Sequence, residues 1–176
     1  MHVRSISRRS FIPLLGVAIG GVTADAVVSL NNRVQPRGIV IHHSAFPPSE
    51  SLSEIERLHA SRGFSAFYLW RTYKIGYHYL IASDGVIYPM RPEHLRGAHA
   101  FGANDMIGVC VLGNFDSATG SDVPTKAQMQ SVESLCRRIV KDYGFRADNI
   151  HRHSDLNSYT VCPGDRFPFN ELLTAI

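Results

Sequence analysis

One loop near the end of the chain collects several side chains that could bind a metal ion. The segment HRHSDLNSYTVCPG carries His151, His153 and, just before Pro-Gly, Cys162. A second pair, His42 and His43, follows a β-branched apolar run, at the point where a buried strand should end. Imidazole nitrogen and thiolate are ligands that zinc favours, and a catalytic zinc site uses three protein ligands. The residue types therefore predict a zinc site built from His42, one histidine of the loop and Cys162.

Strand geometry limits which of these histidines can act together. Adjacent residues of a strand point to opposite faces, so only one of His42 and His43 can face the metal unless the strand ends between them. His151 and His153 could share a face, but both cannot easily join the site while a position for water is kept. Simpler interpretations also exist: the His-His pair as a polar strand end, and Cys162 as a buried thiol before a turn.

Apolar segments are expected to form the sheet that positions these residues. Residues 37–45 begin with a run that predicts a buried strand ending at the histidines. Two further β-rich segments flank Asp84-Gly85, a dipeptide typical of tight hairpin turns. The apolar run of residues 106–115 predicts another strand. A cleft can form where such a buried strand reaches the sheet edge, which is where His42 stands.

Helical patterns alternate with these strands. Ser53, with Glu56 three residues later, predicts the start of a first helix. Thr125 opens the capping box of a longer helix, and Gly144 should end it. The longer helix carries an apolar stripe of Met129, Val132, Leu135, Cys136 and Ile139. With a short helix near residues 169–175, these elements predict an α/β fold: one domain with a mixed central β-sheet flanked by helices.

The first 26 residues have the layout of an export signal. A basic start is followed by an apolar run and by small residues at Ala24 and Ala26, an A-x-A cleavage pattern. The paired Arg8 and Arg9 in SRRSFI resemble a twin-arginine signal, with an ordinary secretory signal as the alternative. The apolar run is too short to persist as a membrane span, so we expect no stable span after cleavage.

Composition limits the remaining possibilities. The chain has 176 residues, 44% of them hydrophobic, and a formal net charge of +3, without a basic run. Such a chain suits one globular domain and gives no support for a nucleic-acid partner. We therefore expect a signal peptide over residues 1–26, a linker over residues 27–36 and one domain over residues 37–176, in a periplasmic or secreted protein exported by the twin-arginine route.

The three cysteines form an odd set. In an exported protein an odd count leaves at least one thiol unpaired, and a metal ligand at Cys162 would account for it. Cys110 and Cys136 are expected to be buried small apolar residues, since neither their spacing nor their context requires a disulfide.

Four segments in a fixed order reveal a family resemblance. They are VIHHSA, IGYHYLIASDGVIYPMRP, RGAHAFGANDMIGVCVLGNFD and HSDLNSYTVCPG, and they span most of the chain after the export signal. They resemble the zinc-dependent type-2 N-acetylmuramoyl-L-alanine amidases, a family that includes phage amidases and the animal peptidoglycan recognition proteins. The resemblance implies a Zn²⁺ cofactor, a zinc site in a cleft at the sheet edge, and peptidoglycan or a muropeptide as the substrate.

The resemblance also assigns the metal ligands. In the family, zinc is bound by the first histidine of the I-H-H motif, the histidine of H-x-D-[LIV] and the residue before Pro-Gly. These positions imply His42, His153 and Cys162. The residue before His153 departs from the family's usual glycine, so His151 remains the alternative. Asp155 matches the family's aspartate only when His153 is the ligand.

The implied reaction is hydrolysis of the amide between N-acetylmuramic acid and L-alanine, with zinc activating water and carbonyl. Tyr77, from the G-Y-H motif, and Thr160, two residues before Cys162, correspond to catalytic polar groups that stabilise the oxyanion and assist the leaving amine. Cys110 stands where several bacterial branches carry a glutamate base, so no carboxylate base is assigned.

Four residues are expected to bind substrate. His99 and Asn104 match segments that line the groove in the family, and His43 should stay near the cleft. Arg96 is expected to meet a peptide carboxylate, with a solvated arginine as the alternative.

Three functions remain to be distinguished at this point. The first is an exported amidase that cuts stem peptides from the glycan. The second is a module of the same fold that recognises peptidoglycan without cutting it, and the third is a zinc hydrolase of another amide. Non-catalytic recognition proteins typically lose the cysteine ligand. Because this chain keeps Cys162 and Tyr77, the sequence favours the amidase.

Overall fold

A computed structural model of the chain describes residues 32–176, which form a mixed five-stranded sheet with helices on both faces. The strands are β1 (Ile39–His43), β2 (Ala66–Tyr68), β3 (Arg71–Tyr73), β4 (Tyr79–Ile81), β5 (Ile87–Pro89), β6 (Ile107–Val111) and β7 (Ile150–Arg152). The order of the main sheet is β5-β4-β6-β1-β7, with β5 antiparallel to β4 and the other neighbours parallel. The predicted α/β architecture with a mixed central sheet is therefore confirmed.

The helices of the described chain are α1 (Leu52–Ser61), α2 (Lys126–Tyr143), α3 (His153–Leu156) and α4 (Phe169–Ala175), with a 3-10 turn at Ala147–Asn149. The capping box of Thr125 and Gln128 is present, and Gly144 ends α2 in the left-handed conformation, as predicted. The predicted cap of α1 was wrong. Ser51 rather than Ser53 accepts the backbone N–H of Glu54, which places the buried Ile55 and His59 on one face, toward the sheet.

The two faces of the sheet carry different layers. Ile39 and Ile41 of β1 belong to the larger core, which includes residues of α2 and α4. Val40 belongs to a separate cluster on the other face, and His42 points the same way because side chains two residues apart share a face. The Cα of Cys110 on β6 lies beside that of His42 in the parallel pairing. The site therefore lies on the face opposite α2.

The β2–β3 hairpin was absent from the sequence prediction. Its two turn residues, Leu69 and Trp70, have φ angles of 46° and 66°, a region that non-glycine residues rarely adopt. Hairpin turns of this kind usually contain Asn or Gly. Because a Leu-Trp pair carries no turn signal, the sequence pattern could not reveal this hairpin.

All three cysteines are buried and free, so the expectation of buried apolar residues at Cys110 and Cys136 is confirmed. The predicted export signal at residues 1–26 and the first half of the linker, residues 27–31, lie outside the described residues. Within residues 32–176, no helix combines the length and the apolar character needed to cross a bilayer.

His78 ties the loop after β5 to the central strand β6. It is fully buried; its Nδ1 accepts the Gly108 N–H at 2.9 Å and its Nε2–H donates to the Leu95 carbonyl at 2.8 Å. Burial lowers the pKa of His78 from 6.5 to about 4. In the unfolded chain this imidazole binds a proton at a higher pH than in the folded protein. The contribution of the neutral, buried His78 to stability is therefore complete above pH 6.5 and is lost as the pH falls towards 4.

A substitution at His78 should therefore cost less stability in acid. We expect the free energy of unfolding of His78→Phe to lie below that of the wild type at pH 7.5. The gap should narrow by about 2 kcal/mol at pH 4.5, because only the wild type loses the contribution of a neutral His78. Urea unfolding of both proteins at the two pH values measures this. A gap that stays constant would show that His78 does not take up a proton on unfolding.

Candidate metal centre

Three side chains from distant parts of the chain converge beside the end of β1. The ligand atoms of His42, His153 and Cys162 all lie within 4.8 Å of one another. Nδ1 of His42 is 3.6 Å from Sγ of Cys162. Zn–N and Zn–S bonds of about 2.0–2.1 and 2.3 Å at a tetrahedral angle place nitrogen and sulfur about 3.6 Å apart. The spacing of these two atoms therefore suits a shared zinc ion.

The two histidines of the I-H-H motif point in opposite directions, as strand geometry requires. His42 is 1% exposed and faces the cluster. The side chain of His43 lies on the other face, where its Nδ1 accepts the backbone N–H of Phe115 at 3.1 Å. The backbone N–H of His43 donates to Sγ of Cys162 at 3.3 Å. His43 thus supports the cysteine through its main chain.

His153 reaches the cluster because the backbone changes direction directly before it. His151 lies in β7, with its Cα beside that of Val40, whereas His153 is the first residue of α3. The Asp155 carboxylate accepts the backbone N–H of Arg152 at 2.8 Å and fixes this change from strand to helix. Nε2 of His153 is buried, and no residue within 32–176 forms a hydrogen bond with it. Such an orphaned nitrogen fits a metal ligand.

The turn around Cys162 is held at both ends. The Thr160 hydroxyl oxygen accepts the backbone N–H of Cys162 at 3.2 Å, and the Cys162 carbonyl accepts the N–H of Ser154 at 2.9 Å. Gly164 has a φ of +94° and packs so closely on the backbone of Phe115 that a Cβ would overlap it. Glycine is therefore required at position 164 by the backbone that presents the thiol.

The cluster consists of side chains that are neutral near pH 7. Burial, followed by the neighbouring His99 and His153, lowers the pKa of His42 well below its usual value. Burial also lowers the pKa of His153, and it raises the pKa of Cys162 to about 12 against the opposing hydrogen bond from His43. Two neutral imidazoles and a thiol whose proton a cation can displace form a donor set that suits zinc.

A cleft of about 410 Å³ opens beside this cluster. Its lining includes His153 and the predicted residues Tyr77, His99 and Asn104; the others are His59, Arg62, Phe64, Ala98, Ala100, Phe101 and Asn157. Three other predicted residues, His43, Arg96 and Thr160, do not line it. Arg96 is exposed, and its backbone N–H and carbonyl bond Asn32 and Arg91.

Tyr77 places its ring between the cluster and the cleft. The ring centroid lies 5.1 Å from that of His42. Burial raises the pKa of Tyr77 well above its usual value, and the thiols of Cys110 and Cys162 add to this shift. The hydroxyl therefore stays protonated and can donate a hydrogen bond. Burial likewise keeps the Cys110 thiol protonated, so Cys110 does not replace a carboxylate base.

His59 is a cleft residue that the sequence interpretation missed. It is a residue of α1 that lines the cleft, and its Nδ1 accepts the backbone N–H of Gly76 at 3.0 Å. In the neutral imidazole the proton is then on Nε2, which makes His59 a hydrogen-bond donor. The only signal available in the sequence was its spacing of four from Ile55, which also fits a core position.

The similarity of this chain to known proteins extends over the segments that carry all three cluster residues. The family model for N-acetylmuramoyl-L-alanine amidase matches residues 32–165. The endolysin of Enterobacteria phage T3 is 34% identical over an alignment of 142 residues. The alignment covers 78% of this chain and 87% of the endolysin.

Solved structures share the fold. The N-acetylmuramoyl-L-alanine amidase LysC from Clostridium intestinale URNW is similar at a TM-score of 0.69 and 34% identity, over 80% of this chain and 85% of LysC. Peptidoglycan recognition protein-LE, solved in complex with tracheal cytotoxin, is similar at a TM-score of 0.63 and 27% identity, over 81% and 82% of the two chains.

Proposed function

The chain belongs to the N-acetylmuramoyl-L-alanine amidase family and is an amidase of peptidoglycan, and we propose that this amidase cleaves the amide bond of the substrate with a zinc ion held by His42, His153 and Cys162. The observation that carries this proposal is the convergence of the buried His42 imidazole, the half-buried His153 imidazole and the Cys162 thiol beside an open cleft. The bond cleaved joins the lactyl group of N-acetylmuramic acid to L-alanine.

The protein groups around the cluster have separate tasks in this reaction. When bound, zinc supplies Lewis-acid activation of water and of the amide carbonyl. Tyr77 donates its hydroxyl proton in a hydrogen bond to the carbonyl oxygen, where negative charge develops. The Thr160 oxygen accepts from the N–H of Cys162 and so holds the turn that presents the thiol.

The charge of the cleft supports an anionic or neutral ligand. Arg62 is the one charged side chain among the cleft-lining residues of the described chain. A stem peptide carries free carboxylates, which a guanidinium binds well. Because no carboxylate of the described chain lines the cleft, the protein groups available there for proton transfer are hydroxyl and imidazole groups such as Tyr77 and His59.

A recognition module without activity is the second candidate, since peptidoglycan recognition protein-LE shares the fold. Two features oppose it. Cys162 completes the donor set, and Tyr77 stands next to His42 as a proton donor. A module that only binds peptidoglycan needs neither a complete set of metal ligands nor a proton donor beside them.

Digestion of purified peptidoglycan fragments tests the proposed function. With zinc present, the protein should release stem peptides that begin with a free L-alanine amino group. Chelation should stop this release, and added zinc should restore it, because the cluster supplies the metal-dependent step. Mass analysis of the products measures the release. Binding of the fragments without cleavage in the zinc-loaded protein would support the recognition module instead.

The substrate lies outside the cytoplasmic membrane, which supports a further proposal on location. We propose that residues 1–26 are removed as a twin-arginine export signal, that residues 27–36 form a linker, and that the domain of residues 37–176 acts in the periplasm or after secretion. The basic, apolar and small residues of the first segment support this. Determination of the N-terminus of the exported protein tests it.

A further inference from the structure

The ring of His99 is enclosed by backbone on the wall of the cleft. Gly97 and Gly108 both lie against it, and a Cβ at either position would overlap the ring. The Oδ1 atom of Asn104 accepts the backbone N–H groups of His99 and Ala100, at 2.8 and 2.9 Å. The loop and the two glycines therefore give this imidazole a single orientation.

Both ring nitrogens of His99 have protein partners. Nε2 lies 3.1 Å from the carbonyl oxygen of Met106, and Nδ1 lies 3.0 Å from Nε2 of His42. A carbonyl only accepts, so Nε2 of a neutral His99 carries the proton and Nδ1 is an acceptor. The donor to it must be the Nε2–H of His42.

The same reasoning fixes the state of His42. With its proton on Nε2, its Nδ1 has a free lone pair, and Nδ1 is the atom 3.6 Å from Sγ of Cys162. In the other tautomer of His42, two lone pairs would face each other across 3.0 Å and a proton would occupy the metal side. The hydrogen bonds from the Met106 carbonyl through His99 to His42 thus select the His42 tautomer whose Nδ1 can bind a metal.

We propose that His99 is a positioning residue that fixes the tautomer of His42 and directs its Nδ1 lone pair to the metal. This proposal rests on the proposed function only in taking the cluster as a zinc site. Metal-binding histidines usually donate their second N–H to a carboxylate or a carbonyl. Here a neutral imidazole stands between the ligand and the Met106 carbonyl, which differs from the substrate-binding role expected for His99 from the sequence.

Two substitutions at His99 separate the two roles. His99→Leu fills the space but removes the acceptor, and we expect zinc affinity to fall about 10–100-fold. His99→Asn keeps an oxygen near the position of Nδ1 and should recover most of the affinity. Competition with a chromophoric zinc chelator at neutral pH, without substrate, measures both. Zinc affinity of His99→Leu within twofold of wild type, with only KM raised, would overturn the proposal and support direct substrate binding.

The unaltered protein provides a second test that does not depend on a variant folding. In long-range ¹H–¹⁵N NMR spectra of the zinc-loaded wild type, His42 and His99 should both appear as Nε2–H tautomers. A proton on Nδ1 of His99 would overturn the proposal. Since zinc affinity and the tautomers are both measured without peptidoglycan, a protein that binds zinc but fails to cleave the substrate would contradict the proposed function and leave the role of His99 intact.

Discussion

Cys162→Ala should lose both stoichiometric zinc and amidase activity. The substitution removes the only sulfur of the cluster and leaves two imidazoles, too few for the three-ligand set of a catalytic zinc site. Metal activation contributes several kcal/mol to the reaction, and each 1.36 kcal/mol is tenfold in rate, so we expect activity to fall about 10³-fold or more. Metal analysis of the purified variant and product release from muropeptides measure the two losses.

Cys136→Ala is the matched control, because it makes the same chemical change at a buried cysteine of α2 that packs in the larger core. It should lose some stability through a small cavity but keep zinc and activity. Full zinc occupancy in a folded Cys162→Ala protein would show that the metal is bound elsewhere.

Tyr77→Phe should separate catalysis from metal binding. Loss of the hydroxyl removes a hydrogen-bond donor from the developing negative charge, and removal of one such donor typically slows a reaction about 10²–10³-fold. Zinc occupancy should stay at the wild-type level, because Tyr77 is not a member of the cluster. The loss of activity should appear in kcat. Kinetics with a soluble muropeptide and metal analysis of the purified variant measure kcat and zinc content.

Tyr79→Phe is the control for this loss. The half-buried Tyr79 hydroxyl donates a hydrogen bond to Glu93 at 2.6 Å, but Tyr79 is not among the cleft-lining residues. Its removal should reduce stability by about 1 kcal/mol and leave kcat unchanged. Equal activity of Tyr77→Phe and wild type would exclude a catalytic role for the Tyr77 hydroxyl.

Much of the fold could be predicted from local pattern alone. The capping box at Thr125, the left-handed Gly144 and the Asp84-Gly85 hairpin all depend on a few neighbouring residues, and all are present. The cap at Ser51 and the β2–β3 hairpin were not predictable in this way. Several serines precede α1 and only tertiary packing selects the one that turns Ile55 inward, whereas the Leu-Trp turn contradicts ordinary turn preferences.

The proximity of the three cluster residues depends on long-range pairing. β7 lies parallel to β1, with Ile150 beside Ile39, so the chain after β7 emerges next to the end of β1. Alternation along a strand could not decide between His151 and His153, because the backbone becomes helical at His153. The family motifs pointed to His153, whereas periodicity carried no such information.

The residues around the cluster were harder to foresee. Asn104 lines the cleft, yet its side-chain oxygen is occupied by two backbone N–H groups. The contacts of His99 join residues from three separate segments, and His59 occupies a helix face that also suits a core residue. Motif spacing identifies which residues gather at a site but not which atoms they bond, because those contacts exist only in the folded chain.

X-ray absorption at the zinc edge of the metal-loaded protein tests the central claim most directly. Two imidazole nitrogens should appear at about 2.0–2.1 Å from the zinc and one sulfur at about 2.3 Å, with no fourth ligand from the protein. The sulfur contribution should persist in Cys136→Ala, whereas any zinc that Cys162→Ala retains at high metal concentration should show no sulfur ligand. A spectrum without sulfur, or one with three or more imidazoles, would contradict a centre formed by His42, His153 and Cys162.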